Sequence, residues 1–307
     1  MSGWSVQLQV LLDEASAAFG IEAIRGPEFL DGARQTGFVW TARPGVVCLA
    51  GNRKYMDIAR ANPCVSVLIA PPALARQEQP QGKAMVVCER AEELYHHLHL
   101  AQERADSSQD RVEVASGVVI DPSAILRGHV RIGAGTRIGP RVVLSGPVSL
   151  GRNVQVDAGA IIGCEGLYAK TVLGVRRHIP HFGGVEVADD AFVHAGAVIV
   201  RSAIDGEVTR IGRGAHVGIM TNVGHDVQVG DHATLSSNVV IAGRAKVGAR
   251  AWVGASATIS NMVQVGEGAE VRLGAVVIQD VPHAGDVSGN FALPHGRNMK
   301  RFLRDTK

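Results

Sequence analysis

From Val114 onward every sixth residue is aliphatic: Ile120, Leu126, Ile132, Ile138, Leu144, Leu150, Val156 and Ile162 follow without exception. A second series starts at Ile211 and runs unbroken to Val277, with Val223, Val229, Leu235, Ile241 and Val247 among its twelve members. A strict six-residue period matches neither the 3.6 of a helix nor the 2 of a half-buried strand, so each hexapeptide must be one structural unit. The expected unit is a short strand whose aliphatic residue points into a shared prism, followed by a corner. Three units make a coil of about 18 residues, and coils stack at the roughly 4.8 Å spacing of a parallel sheet. Composition agrees, since 37 glycines and only 4% aromatics suit tight corners and a narrow interior of Val and Ile.

The register breaks between the two series. From Ile162 the next aliphatic in phase is Val187, 25 residues on and one more than four hexapeptides. Residues 163–186, which contain Tyr168, Arg176, Arg177, His178 and His181, are therefore expected to leave the prism as an excursion loop. Residues 1–110 lack the repeat. Helical patterns over 6–19 and 91–103 and apolar strand patterns over 46–49 and 65–69 predict a small α/β domain there. The expected plan is thus mainly β: a small α/β domain (1–110), which the resemblance named below makes nucleotide-binding-like, a parallel β-helix (111–290) and a short tail (291–307), with residues 105–112 as the linker.

Charge and composition exclude several partners. Thirty-one Lys and Arg against 29 Asp and Glu give a formal charge of +2 with no basic stripe, so nucleic acid is not expected. No run approaches the ~20 apolar residues of a membrane span, and Met1-Ser2-Gly3-Trp4 does not open a secretory leader, so the expected location is cytoplasmic. Cys48, Cys64, Cys88 and Cys164 form no CxxC pair, and reduced, unpaired thiols are expected. The prism histidines His129, His194, His216, His225 and His232 show no pair spaced by whole 18-residue coils, so no metal site is expected among them.

One histidine stands apart. His225 follows Val223 by two, which turns it away from the inward slot, and Gly243 lies one coil later, stacked on it. An outward imidazole is suited to general-base work, and a backbone N–H at a residue without a side chain is suited to hold a developing oxyanion. Base plus amide donor fits acyl transfer from a thioester.

In combination with the motifs Asn52-Arg53-Lys54-Tyr55, Ile161-Ile162-Gly163, His178-Ile179-Pro180, Arg201-Ser202-Ala203-Ile204-Asp205 and the segment around His225-Asp226, the chain resembles the UDP-3-O-(3-hydroxyacyl)glucosamine N-acyltransferase family over about nine tenths of its length. The resemblance implies a left-handed β-helix and a homotrimer with active sites between adjacent prisms. It further implies His225 as general base, the Gly243 amide as oxyanion donor, and Asn52 and Tyr55 holding the base of a nucleotide sugar. His178, Asp205 and Asp226 are the further candidate substrate-binding residues, with Asp226 or Asp205 orienting the imidazole. No bound cofactor is implied, and the acyl donor would be acyl carrier protein (ACP) or coenzyme A (CoA). Three positions depart from the family pattern: Leu49 stands where an aromatic would stack on the base, Met262 replaces a histidine, and Ile219 replaces an asparagine. The tail around Phe302-Leu303-Arg304 is shorter than the carrier-binding extension of that family. The wording near His225 is also similar to the O-acyltransferase of the same pathway and to small sugar N-acetyltransferases. A trimeric binding or scaffold protein is the alternative outside catalysis.

Overall fold

The computed structural model describes residues 8–75, 81–102, 110–289 and Arg304. Most of the expected linker and nearly all of the tail lie outside the described residues. The repeat region forms three parallel sheets of nine, eight and eight short strands, wound as a left-handed β-helix and preceded by a small mixed α/β sheet domain. Pairing follows the hexapeptide arithmetic: Ile138 lies beside Val156 and Val223 beside Ile241, one 18-residue coil apart. All twelve aliphatics of the second series are buried, and the residue four further on is usually an equally buried Ala, as at Ala215, Ala233, Ala245 and Ala257. A methyl group is what the narrow prism accommodates between two larger side chains. Among the described residues no strand pairs beneath the first coil, and its inward Val114 is 48% exposed.

The corners divide two jobs between two residues. The glycine that follows the aliphatic residue stands against the next coil: a Cβ on Gly230 would lie 2.5 Å from the Ala249 nitrogen, and one on Gly248 2.4 Å from the Glu267 nitrogen. Positive φ falls two residues later and is carried largely by other types, at Met220, Asp226, His232, Asn238, Arg244, Arg250, Ser256 and Met262, six apart without a gap. Glycine is thus selected here for close approach, and the left-handed backbone is borne by side chains that point out of the prism.

Two insertions interrupt the winding. Gln155 pairs with Phe192, 37 residues on in place of 18, which accounts for a 19-residue excursion over 165–183 between the strands Ile161–Cys164 and Gly184–Val187. Its centre is an antiparallel hairpin, Ala169–Val172 with Val175–His178. The next coil pairs Phe192 with His216, 24 residues on, so six further residues are inserted near 201–207. An insertion equal to the repeat leaves the phase intact, which hid it in the sequence. It also invalidates the 18-residue spacing test for histidines at this point, since His194 and His216 have ring centres 5.8 Å apart.

In the amino-terminal domain β1 (Ile21–Arg25), β2 (Gln35–Gly37), β3 (Val46–Leu49), β4 (Val65–Ala70) and β5 (Ala84–Cys88) form one sheet in the order β1-β5-β4-β3-β2, antiparallel only at β1. Alternate residues of the central strands serve two cores. Val47, Val67, Ile69 and Val86 face α1 (Leu8–Phe19) and the helix Ala91–Leu100, whereas Val46, Cys48, Leu68 and Met85 face the helix Arg53–Ala61. Burial on both faces explains why these strands read as continuous apolar runs. The four cysteines are unpaired, and burial pushes the Cys48 thiol up to about 12.

Both insertions hold this domain to the prism. Val172 of the hairpin is buried in the core beside the helix Ala91–Leu100, Lys170 pairs with Glu92 at 2.6 Å, and His99 Nε2 donates to the Pro180 carbonyl at 2.9 Å. At the second insertion Gln35 donates to the Asp205 carbonyl at 2.9 Å and the Thr41 hydroxyl to Glu207 at 3.0 Å, while Arg43 lies against Gly206.

Candidate active site

The domain seam encloses a cleft of about 420 Å³ whose walls come from both units. His225 and Gly243 lie on its prism side, and Trp40, Leu49, Asn52 and Tyr55 on its amino-terminal side. The His225 side chain is 17% exposed and its Nδ1 lies 2.6 Å from Asp226 Oδ2. A carboxylate only accepts, so it fixes the proton on Nδ1 and leaves Nε2 as the basic nitrogen. Asp226 is itself held. Its Oδ1 accepts from the Ser202 hydroxyl, and its backbone N–H donates to Thr209 Oγ1 at 2.8 Å. Ser202 lies in the six-residue insertion and Thr209 just after it, so that irregularity shapes the base's support as well as the domain contact.

Nε2 lies over Gly243, where a Cβ would be only 2.5 Å away. Among the described residues no group accepts from the Gly243 N–H, although its neighbours are bonded, Ala242 N–H to Ile259 and Arg244 N–H to His225. The same corner nitrogen is free in other coils. What distinguishes Gly243 is the missing side chain and its place in the cleft. The opposite side of the imidazole is covered by Tyr168, stacked at 5.4 Å and 19°. Tyr168 is fixed by His96: His96 Nδ1 donates to the Glu92 carbonyl at 2.7 Å, so its Nε2 accepts from the Tyr168 hydroxyl at 2.9 Å. Burial lowers the basicity of His96 and pushes His99 down to about 4, keeping both neutral along the seam.

The other sequence candidates are distributed differently. Asn52 and Tyr55 both line the cleft, and Asn52 caps the helix Arg53–Ala61 by accepting from the Tyr55 N–H at 2.9 Å. Asp205 is not brought to the cleft; its carbonyl serves the domain seam. His178 lies one ring layer away from it, bonded to Glu165 at 2.7 Å and 6.2 Å from the ring of His181. His181 in turn lies 5.5 Å from the ring of His225, and burial pushes it down to about 4, the neighbouring His225 adding to the shift.

Sequence reasoning did not assign Phe38, Trp40, Tyr168 or Arg244 to the cleft. Leu49 removes one aromatic, but Phe38 and Trp40 stack on each other at 5.2 Å, and Trp40 meets Tyr55 edge-on at 5.9 Å. Arg244, at the corner after Gly243, lies with its guanidinium 4.6 Å above the Phe38 ring. Met262 also has a partner, its sulfur lying 3.6 Å from the Tyr55 hydroxyl. Only the adjacent Phe38-Val39-Trp40 spelling in an otherwise aromatic-poor chain could have pointed to the aromatic wall.

Residues 111–146 match a sequence family described as bacterial transferase hexapeptide (six repeats), and residues 129–164 match one described as the hexapeptide repeat of succinyl-transferase. No curated protein matches the chain. Among solved structures the chain is similar to LpxA from Acinetobacter baumannii, at 25% identity over 62% of this chain and 77% of that one, with a TM-score of 0.49. It is also similar to LpxA, a UDP-N-acetylglucosamine acyltransferase from Bacteroides fragilis, at 17% identity over 65% and 75% with a TM-score of 0.51. A mutant perosamine N-acetyltransferase from Caulobacter crescentus, in complex with CoA and GDP-perosamine, matches at 17% identity over 73% and 67% with a TM-score of 0.27. The Bacteroides protein shows a shared fold. The family matches identify the repeat itself: the chain carries the bacterial transferase hexapeptide on a left-handed β-helix.

Proposed function

We propose that the protein is an N-acyltransferase that moves an acyl group from a thioester to the amine of a nucleotide-linked amino sugar. The observation that carries this reading is the Asp226–His225 pair, with Nε2 directed over the Gly243 amide inside an aromatic-walled cleft. In the proposed step the neutral amine attacks the thioester carbonyl and the new C–N bond forms. His225 Nε2 takes the amine proton, and the Gly243 N–H donates to the carbonyl oxygen as it gains charge. The C–S bond then breaks and the departing sulfur receives the proton from the imidazolium. Asp226 holds the tautomer and steadies the cation.

Trp40 and Tyr55 give the nucleotide base apolar surfaces in place of the aromatic absent at Leu49. Arg244, whose Nε has no hydrogen-bond partner among the described residues, and Lys170 supply positive charge for its phosphates. The donor is acyl-ACP or acyl-CoA, and the protein binds no cofactor of its own for this step. No described helix is long and apolar enough to cross a membrane. The flat prism faces carry exposed Val240, Trp252 and Val276, which closed threefold packing would cover, so the working form is a homotrimer.

The test is to mix the purified protein with acetyl-CoA or acyl-ACP and a panel of nucleotide sugars, following release of free thiol. Turnover only with amino sugars supports the reading; turnover with hydroxyl acceptors assigns an O-acyltransferase, and binding without turnover a scaffold. Light scattering at micromolar concentration should give three chains, and a monomer would contradict the assembly.

A further inference from the structure

The excursion gathers side chains that acyl transfer does not use. Glu165 enters it, and His178 and His181 leave it. The hairpin pairing of Ala169 with His178 folds the exit back onto the entry, so residues 13 and 16 positions apart present donor atoms all within 4.8 Å of one another. Glu165 Oε2 and His178 Nε2 are 2.7 Å apart, and the His181 ring lies parallel to that of His178.

His181 is the unusual member. It is 1% exposed, and neither ring nitrogen has a hydrogen-bond partner among the described residues. Buried imidazoles are nearly always paired, as His99 shows nearby with Thr36 on one nitrogen and Pro180 on the other. Gly166 keeps the side of Nε2 clear, since even a Cβ there would stand 3.5 Å from it. A buried nitrogen without a partner, beside a second imidazole and a carboxylate, is a donor set waiting for an acceptor of lone pairs.

We propose that Glu165, His178 and His181 form a binding site for a divalent cation of the zinc class, one imidazole away from His225. Two nitrogens and one carboxylate oxygen suit Zn²⁺, Co²⁺ or Ni²⁺, whereas Ca²⁺ and Mg²⁺ prefer oxygen throughout. On binding, the cation displaces the Glu165–His178 hydrogen bond and takes lone pairs from both imidazoles and the carboxylate. The His178 proton resides on Nδ1, and water fills the remaining position. His225 is not a ligand, because Nδ1 is held by Asp226 and Nε2 lies over Gly243. The bound ion clips the two ends of the hairpin together and so fixes Tyr168 over His225.

The experiment uses untagged, full-length protein stripped with a chelator and titrated with zinc sulfate, with no substrate present. One Zn²⁺ per chain should bind with a Kd of about 1 μM or tighter and raise Tm. Ca²⁺ should not compete. His178→Gln and Glu165→Gln, which alter exposed or half-buried side chains and should fold, and His181→Gln should each weaken binding by at least the roughly 10–100-fold that loss of an outer-shell partner costs. His225→Ala and His194→Ala should keep the full stoichiometry. Uptake that survives His178→Gln and His181→Gln, or no saturable uptake below about 100 μM, overturns the proposal. Because the readout is metal content, an inactive protein that binds zinc through these residues sinks only the acyltransferase reading. An active protein that binds none sinks only this one.

Discussion

The coils between Ile211 and Val277 and those between Cys164 and Thr209 are built from one repeat, yet they differ in what they do. In the first region winding is unbroken, every sixth residue is a buried aliphatic, and the corner side chains turn out of the prism, most of them to solvent. In the second, insertions of 19 and six residues carry the contacts to the amino-terminal domain, the lid residue Tyr168 and the support of Asp226. His225 itself sits in a regular coil and becomes a candidate base only because irregular chain is laid over it. Repetition supplies a rigid floor; the departures from it supply chemistry.

Identical substitutions at a corner covered by the irregular chain and at one that is not should therefore have opposite readouts. Gly243→Ala keeps the amide but drives a methyl into the space of the His225 ring, and the turnover number should fall by about the 10²–10⁴ that a positioned general base contributes, with the fold retained. Gly230→Ala meets backbone in place of a side chain. It should lose about 1–3 kcal/mol of stability by overpacking, read in a denaturant melt, with the turnover number of the folded fraction unchanged. Equal effects on both measures at both sites would erase the distinction.

A smaller effect is expected at the aromatic wall. Trp40→Ala should raise KM for the nucleotide sugar by about tenfold while changing the turnover number little, since one base–aromatic stack contributes about 1–3 kcal/mol. Tyr55→Ala should behave likewise. Steady-state kinetics in which neither variant shifts KM would remove the nucleotide from this side of the cleft.

The seam itself should be acid-sensitive. His99 is held neutral when folded, at about 4, against about 6.5 when unfolded, so below 6.5 the unfolded chain binds the extra proton and stability falls. The loss should develop between about pH 6.5 and pH 4 at up to about 1.4 kcal/mol per pH unit, His96 adding in the same direction. His99→Gln should flatten that slope in denaturant melts taken across the window. An unchanged slope would place the acid sensitivity elsewhere.

The sequence made some of this legible and concealed the rest for physical reasons. Inward aliphatics at a fixed period revealed the prism, because a narrow core tolerates little else. The long excursion shifted the phase by one and was visible; the six-residue one preserved it and was not. The expectation that Gly243 stacks on His225 followed from coil arithmetic alone, and the structure places them so. Trp40, Tyr168 and Arg244 were not assigned because their neighbours are set by how the two domains meet. The contact of Arg244 with Phe38 spans more than two hundred residues and leaves no local pattern.

The central claim is that His225, oriented by Asp226, removes a proton during acyl transfer. The most direct measurement is the turnover number of His225→Ala with the donor and acceptor identified in the thiol-release assay, on protein shown by light scattering to keep the assembly of the unmodified chain. A drop of about 10²–10⁴ with KM little changed, together with loss of the acid limb of the pH–rate profile, is the predicted result. A folded His225→Ala protein that keeps its full rate would contradict the mechanism while leaving the β-helix untouched.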